Sequence, residues 1–137
     1  MKIDTSPAFP DFFLVVAPRC GTTSFAKYLR RHPAICFSKP KEPHFFTRPA
    51  AELDAADIER DYVERFFWRR RPAHRIAGEG SVSYLYSPDA LRRILALNPD
   101  ARFLVMVRNP LQMLASYHAR MLFVLQESEP DIARAFA

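Results

Sequence analysis

Residues 11–24 constrain this chain more than any other stretch. Residues 11–17 read as a strand buried on both faces, since the run that follows Asp11 is continuously apolar and is closed by Pro18. A short loop, Pro18-Arg19-Cys20-Gly21, follows. Thr22-Thr23-Ser24 then opens a helical pattern with Phe25 and Leu29 on one face, which Pro33 stops. Thr22 or Thr23 is the expected N-cap. A strand that runs into a tight loop and then a helix N-terminus aims positive partial charge at one point. Gly21 lets the backbone come close to an anion there, three hydroxyls add donors, and Arg19 adds a forked cation. A capped helix with no ligand has the same local pattern, so the loop alone does not decide between them.

The rest of the chain repeats the alternation. Residues 35–37 read as a short strand and residues 38–43, with two prolines, as extended. Residues 54–70 read as an amphipathic helix with Ile58, Tyr62, Phe66, and also Val63 and Phe67, inward. Residues 75–78 read as an edge strand. Ser87-Pro88 starts a helix with Leu91, Ile94 and Leu95 inward, ending at Asn98-Pro99. Residues 102–107 read as a buried strand. Asn109-Pro110 opens a further helix with Met113, Leu114, Tyr117, Met121 and Leu122 as its stripe, and another begins at Pro130. This order predicts an α/β fold: a P-loop-like, three-layer arrangement with a mostly parallel sheet flanked by helices. The 137 residues suit one domain, residues 11–137, behind a lead-in of residues 1–10.

The loop is not a Walker A motif, because no lysine follows its glycine and the spacing differs. The strand at 102–107 ends in Arg108-Asn109, not in an acidic magnesium ligand, which argues against an ordinary P-loop kinase or NTPase. Arg108 stands at the carboxyl end of a strand, where open α/β sheets bind ligands. Ser116 lies roughly 9 Å along the next helix at 1.5 Å per residue. The two can clasp one phosphate; a surface arginine and an incidental serine would look the same. The net charge of +5 favours an anionic ligand without choosing one.

Taken together, Pro18-Arg19-Cys20-Gly21-Thr22-Thr23-Ser24 and Arg108-Asn109-Pro110 through Ser116-Tyr117 resemble the two signatures of the sulfotransferases that use adenosine 3'-phosphate 5'-phosphosulfate (PAPS), among them the heparan-type carbohydrate enzymes and bacterial members. The resemblance implies Arg19, Cys20, Gly21, Thr22, Thr23 and Ser24 on the 5'-phosphosulfate, and Arg108 with Ser116 on the 3'-phosphate. It implies PAPS as donor, adenosine 3',5'-bisphosphate as product and no metal. The family loop has lysine where this chain has Arg19, which keeps the charge but not the compact ammonium; Arg19 is expected to steady the leaving group.

Lys39-Pro40-Lys41-Glu42-Pro43-His44-Phe45-Phe46 resembles the Glu-x-x-Phe-Phe stretch of the heparan-type enzymes. That likeness implies Glu42 as the base that deprotonates the acceptor, with His44 as helper or alternative base. Without it, the stretch reads equally well as a proline-rich loop with a surface ion pair. Gly78-Glu79-Gly80-Ser81-Val82-Ser83-Tyr84 resembles a third family stretch in which Gly80 stands for a lysine; Glu79 is expected to be structural. The basic run Trp68 to Arg75 suits an anionic acceptor but more simply a solvated helix end.

The activity so implied is sulfuryl transfer to a hydroxyl or amine. The acceptor is a glycan by preference, with lipid, small-molecule and protein-tyrosine acceptors open. A truncated relative that binds nucleotide without transferring is the other reading, since the family's domain continues beyond this length and the C-terminal part is expected to be missing. No nucleic-acid motif occurs. Residues 12–17 are too short to span a bilayer and no signal pattern opens the chain. Cys20 and Cys36 fit neither redox nor zinc spacing and are expected as free thiols, in the cytoplasm.

Overall fold

The computed structural model describes residues 9–49 and 58–136. Four parallel strands form one sheet in the order β2-β3-β1-β4: β1 (Phe12–Val16), β2 (Ile35–Phe37), β3 (Ile76–Glu79) and β4 (Arg102–Met106). The helices are α1 (Thr22–Arg31), α2 (Pro88–Leu97), α3 (Pro110–Phe123) and α4 (Ile132–Ala135). Shorter helical pieces cover Phe45–Thr47, Ile58–Glu64, Arg65–Phe67 and Val82–Tyr86. The predicted α/β architecture, a parallel sheet flanked by helices, is present.

β1 is the central strand, and its period-two alternation divides the core. Phe13 and Val15 face a cluster with Phe45, Phe46, Tyr62, Phe66, Tyr84 and Ile94; Leu14 and Val16 face Ala26 of α1 and Phe37. Burial on both faces is why the run is continuously apolar. Gly78 sits opposite Phe12 in the β1–β3 register, and a Cβ there would meet the Phe12 ring at 2.1 Å. The aromatic strand start therefore requires glycine on its neighbour.

Several sequence expectations need correction. Residues 76–79 form an interior strand between β2 and β1, not an edge. β4, expected to be buried, is one of the two outer strands: Val105 is exposed, as are Leu104 and the following Val107, because β4 has a neighbour on one side and cover on Phe103 and Met106 alone. Leu95 is exposed, while Ile94 carries the inward contact of α2. Residues 39–41 bend where an extended run was expected, with the Ser38 hydroxyl on the Lys41 carbonyl. Phe9 and Pro10, assigned to a lead-in, belong to the core: Pro10 is fully buried, and Phe9 packs on Phe13, Phe46 and Tyr62.

The helix expected over residues 54–70 lies partly outside the described residues. From Ile58 it is π-helical to Glu64 and then α-helical to Phe67, and Tyr62, Val63, Phe66 and Phe67 are buried as expected. Ser87 and Asn109 cap α2 and α3 as predicted, each accepting from the backbone of the first turn. Among the described residues, no helix is long and apolar enough to cross a membrane.

Candidate functional site

The strand order explains why residues 89 and 97 positions apart in sequence meet. From β1 the chain passes to β2 and β3 on one side, and to β4 on the other. The carboxyl ends of β1 and β4 thus form the switch point at which open parallel sheets hold ligands. Val16 pairs with Met106, so the loops that follow leave side by side.

These loops form one cleft of about 240 Å³, lined by Arg19, Gly21, Thr22, Thr23, Ser24, Arg108 and Ser116. Arg19 Nε donates to Ser116 Oγ at 2.9 Å, and the Arg108 guanidinium donates to the Arg19 carbonyl at 3.1 Å. Seven of the eight residues expected at a nucleotide are thereby brought together. The eighth, Cys20, turns its side chain inward: it is buried, with Sγ on the Pro18 carbonyl at 3.7 Å.

The loop's backbone suits an anion. Arg19 (φ 65°) and Gly21 (φ 79°) are both left-handed, a conformation that costs a non-glycine residue about 1–2 kcal/mol. Such curled loops turn successive amides toward a shared concavity. Gly21, not a threonine, occupies the N-cap of α1, with no side-chain cap. No acidic residue lies in the first turn, so its amides and dipole stay uncompensated for a ligand. Thr22 is released from capping and its Oγ1 instead accepts from Lys41 Nζ at 3.2 Å.

Lys41 joins the cleft to the acceptor-side residues. Its ammonium also lies 2.5 Å from Glu42 Oε1, and Glu42 Oε2 lies 3.3 Å from His44 Nε2. The other ring nitrogen, Nδ1, pairs with Ser83 Oγ at 2.7 Å. With Ser83 donating to Nδ1, Nε2 carries a proton toward Glu42. The carboxylate is thus held between two donors and remains partly open to solvent, at 28 % exposure. His44 adopts a left-handed conformation (φ 52°), fixed by a bond from its backbone N–H to Ser81 Oγ at 3.0 Å.

Beneath this loop lies Glu79, expected from the sequence to be structural. Glu79 at the end of β3 is fully buried and accepts hydrogen bonds from Tyr62 and from Ser81 (2.6 Å). Burial pushes its carboxyl up to about 7, although bonds from Ser81, Tyr62 and Tyr84 pull the other way. Burial, with Glu79 beside them, also raises the phenols of Tyr62 and Tyr84. Ser81 therefore links the buried carboxyl to the His44 backbone, so Glu79 supports the loop of Glu42 and His44 from below. The alternating hydroxyls of Ser81 and Ser83 were the signal in the sequence. The bridging position of Lys41 had none, because it arises from the bend at residues 39–41.

No family model matches this chain. Among curated proteins, it is 32 % identical over 119 residues to "Heparan sulfate glucosamine 3-O-sulfotransferase 6" of Homo sapiens, covering 83 % of this chain and 31 % of that protein. It is 29 % identical over 148 residues to "Carbohydrate sulfotransferase 15" of Homo sapiens, covering 78 % of this chain and 26 % of that protein. Among solved structures, the sulfotransferase from Alicyclobacillus acidocaldarius superposes with a TM-score of 0.74 at 31 % identity, over 93 % of this chain and 55 % of that one. The chain spans about a quarter to a third of the length of these curated relatives. Both loop signatures meet at the switch point of a sheet shared with a solved sulfotransferase, and by these likenesses the chain belongs to the sulfotransferase family.

Proposed function

We propose that the cleft binds PAPS and that the chain carries the donor-binding part of an enzyme that transfers its sulfuryl group to a glycan hydroxyl. The observation that carries this reading is the closure of both expected phosphate elements into one cleft, with Glu42 one ammonium away. The donor's 5' end faces the loop and Thr22, and its 3'-phosphate faces Arg108 and Ser116. Glu42 takes the proton of the acceptor hydroxyl. The acceptor oxygen attacks sulfur, the bond from sulfur to the 5'-phosphate oxygen breaks, and adenosine 3',5'-bisphosphate leaves with that electron pair. Loop amides and nearby cations stabilise the charge on the departing phosphate. The glycan acceptor is supported by the relatives' printed names and by the Glu42 segment. The two buried free thiols, Cys20 and Cys36, support a reducing, cytoplasmic setting.

Arg19 is drawn to Ser116, on the 3' side of the cleft. The compact ammonium that the loop lacks is supplied by Lys41, between Thr22 and Glu42. Lys41→Met is therefore expected to weaken PAPS and the bisphosphate alike by about tenfold, the worth of one charge-assisted hydrogen bond, because both carry 5'-phosphate oxygens. Parallel titrations of both nucleotides check this; unchanged affinity for both would remove Lys41 from the 5' end of the cleft.

The reading as a whole is tested by calorimetric titration with adenosine 3',5'-bisphosphate, with ATP and Mg²⁺ as comparison. Binding of the bisphosphate that Arg108→Ala weakens by about 10- to 100-fold is the expected result. Binding of Mg-ATP alone would replace the reading with an NTPase. Bisphosphate binding without transfer to any glycan would leave a nucleotide-binding relative.

A further inference from the structure

A second basic concavity lies away from the nucleotide cleft and shares no lining residue with it. Its volume is about 220 Å³, and its cations come from three separate segments. Arg30 belongs to the last turn of α1, Lys39 to the loop after β2, and Arg69 and Arg71 to the turn before β3, where the His74 ring also lines the pocket. The run from Trp68 to Arg75 is thus not merely a solvated helix end: the fold closes part of it against two other elements. Among the described residues, no carboxylate lines the pocket.

Arg30 and His74 are held in place. The Arg30 guanidinium donates to the Ser38 carbonyl at 2.9 Å and lies 5.8 Å from the centre of the Phe37 ring. Burial, and then the charge of Arg69, hold its pKa below the ordinary arginine value. His74 Nδ1 accepts from the Arg71 backbone N–H at 2.9 Å, which leaves Nε2 as an N–H donor. Like charges gathered around a concavity repel one another unless an anion joins them. Arg69 also stacks on Trp68 at 4.7 Å, and that indole is 61 % exposed.

We infer that this pocket binds a sulfate or carboxylate group of an acidic polysaccharide, with Trp68 as a platform for the adjoining sugar ring. Converging arginine forks recognise planar and tetrahedral oxyanions, and an exposed indole stacks on the apolar face of a sugar. Lys39 belongs to the same loop as Glu42, so a polymer presented to Glu42 continues toward the pocket. Its identity with the acceptor rests on the sulfotransferase reading; the anion site itself does not.

Trp68 is the chain's single tryptophan, so its fluorescence reports on this site alone. A heparin-derived hexasaccharide titrated at physiological salt is expected to change Trp68 emission saturably. Arg69→Ala and Arg71→Ala should each weaken that binding about tenfold, whereas Arg134→Ala, an exposed charge on α4, should not. Calorimetric affinity for adenosine 3',5'-bisphosphate should be the same in all four proteins. An equal loss in Arg134→Ala, competition by the bisphosphate, tighter binding of a single-stranded oligonucleotide, or no saturable change would each overturn the assignment. Failure of the bisphosphate to bind the unaltered chain would instead overturn the nucleotide reading while leaving this result standing.

Discussion

Glu42→Gln is expected to lower sulfuryl transfer by about 10²–10⁴-fold, the usual worth of a positioned general base, without loss of nucleotide affinity. Glutamine keeps the shape, and its single carbonyl oxygen can still accept from Lys41, but it cannot take the acceptor's proton. Glu42 does not line the nucleotide cleft; it touches that cleft through Lys41 Nζ, which keeps its own contact to Thr22. The measurement is transfer of labelled sulfate from PAPS to a desulfated heparin, beside bisphosphate titration of the same protein. His44→Asn provides the contrast. If His44 positions Glu42, this variant lowers transfer less and leaves the pH dependence in place; if His44 is the base, it is the more damaging change. Transfer that survives in Glu42→Gln would move the base elsewhere.

Glu79→Ala is expected to destabilise the fold by about 3–5 kcal/mol, from the cavity and from the hydroxyls of Tyr62, Ser81 and Tyr84 left without their acceptor. That is a large share of the roughly 5–15 kcal/mol that holds a domain together. Glu79→Gln is milder and isolates the charge. The Glu79 carboxyl in the folded chain sits at about 7, above its unfolded value, chiefly through burial. The folded state therefore holds this proton more tightly. The associated stability is complete below the unfolded pKa and is lost as pH rises through about 7. Urea unfolding between pH 5 and 8 should show this fall in the unaltered chain, with a slope of up to about 1.4 kcal/mol per pH unit from one proton. Glu79→Gln should lack it. Parallel pH profiles would mean that Glu79 stays ionised in the fold.

What could be read from the sequence was local. Thr22–Arg31, Ile35–Phe37 and Pro110–Phe123 were legible because proline, glycine and capping residues punctuate them, and such signals act over a few residues. The burial of β4 was misread because an apolar run records what a strand is able to bury, whereas its place at the outer side of the sheet decides what is covered. The π-helical turns at Ile58–Glu64 carry the same apolar pattern as an α-helix, so the spacing gave no warning.

The sequence by itself determined which groups are available: two arginines, a row of hydroxyls, and a carboxylate in a proline-marked loop. Their spacing along the chain identified the family. Only the tertiary structure decided how these parts meet. Parallel pairing of β1 with β4 sets Arg19 beside Arg108 and Ser116. The bend at residues 39–41 swings Lys41 from the acceptor loop onto Thr22, and the packing of α1 against the turn before β3 gathers Arg30 with Arg69 and Arg71. These contacts join residues about 19 to 97 positions apart, and their energies depend on distance through space, which local propensities do not record.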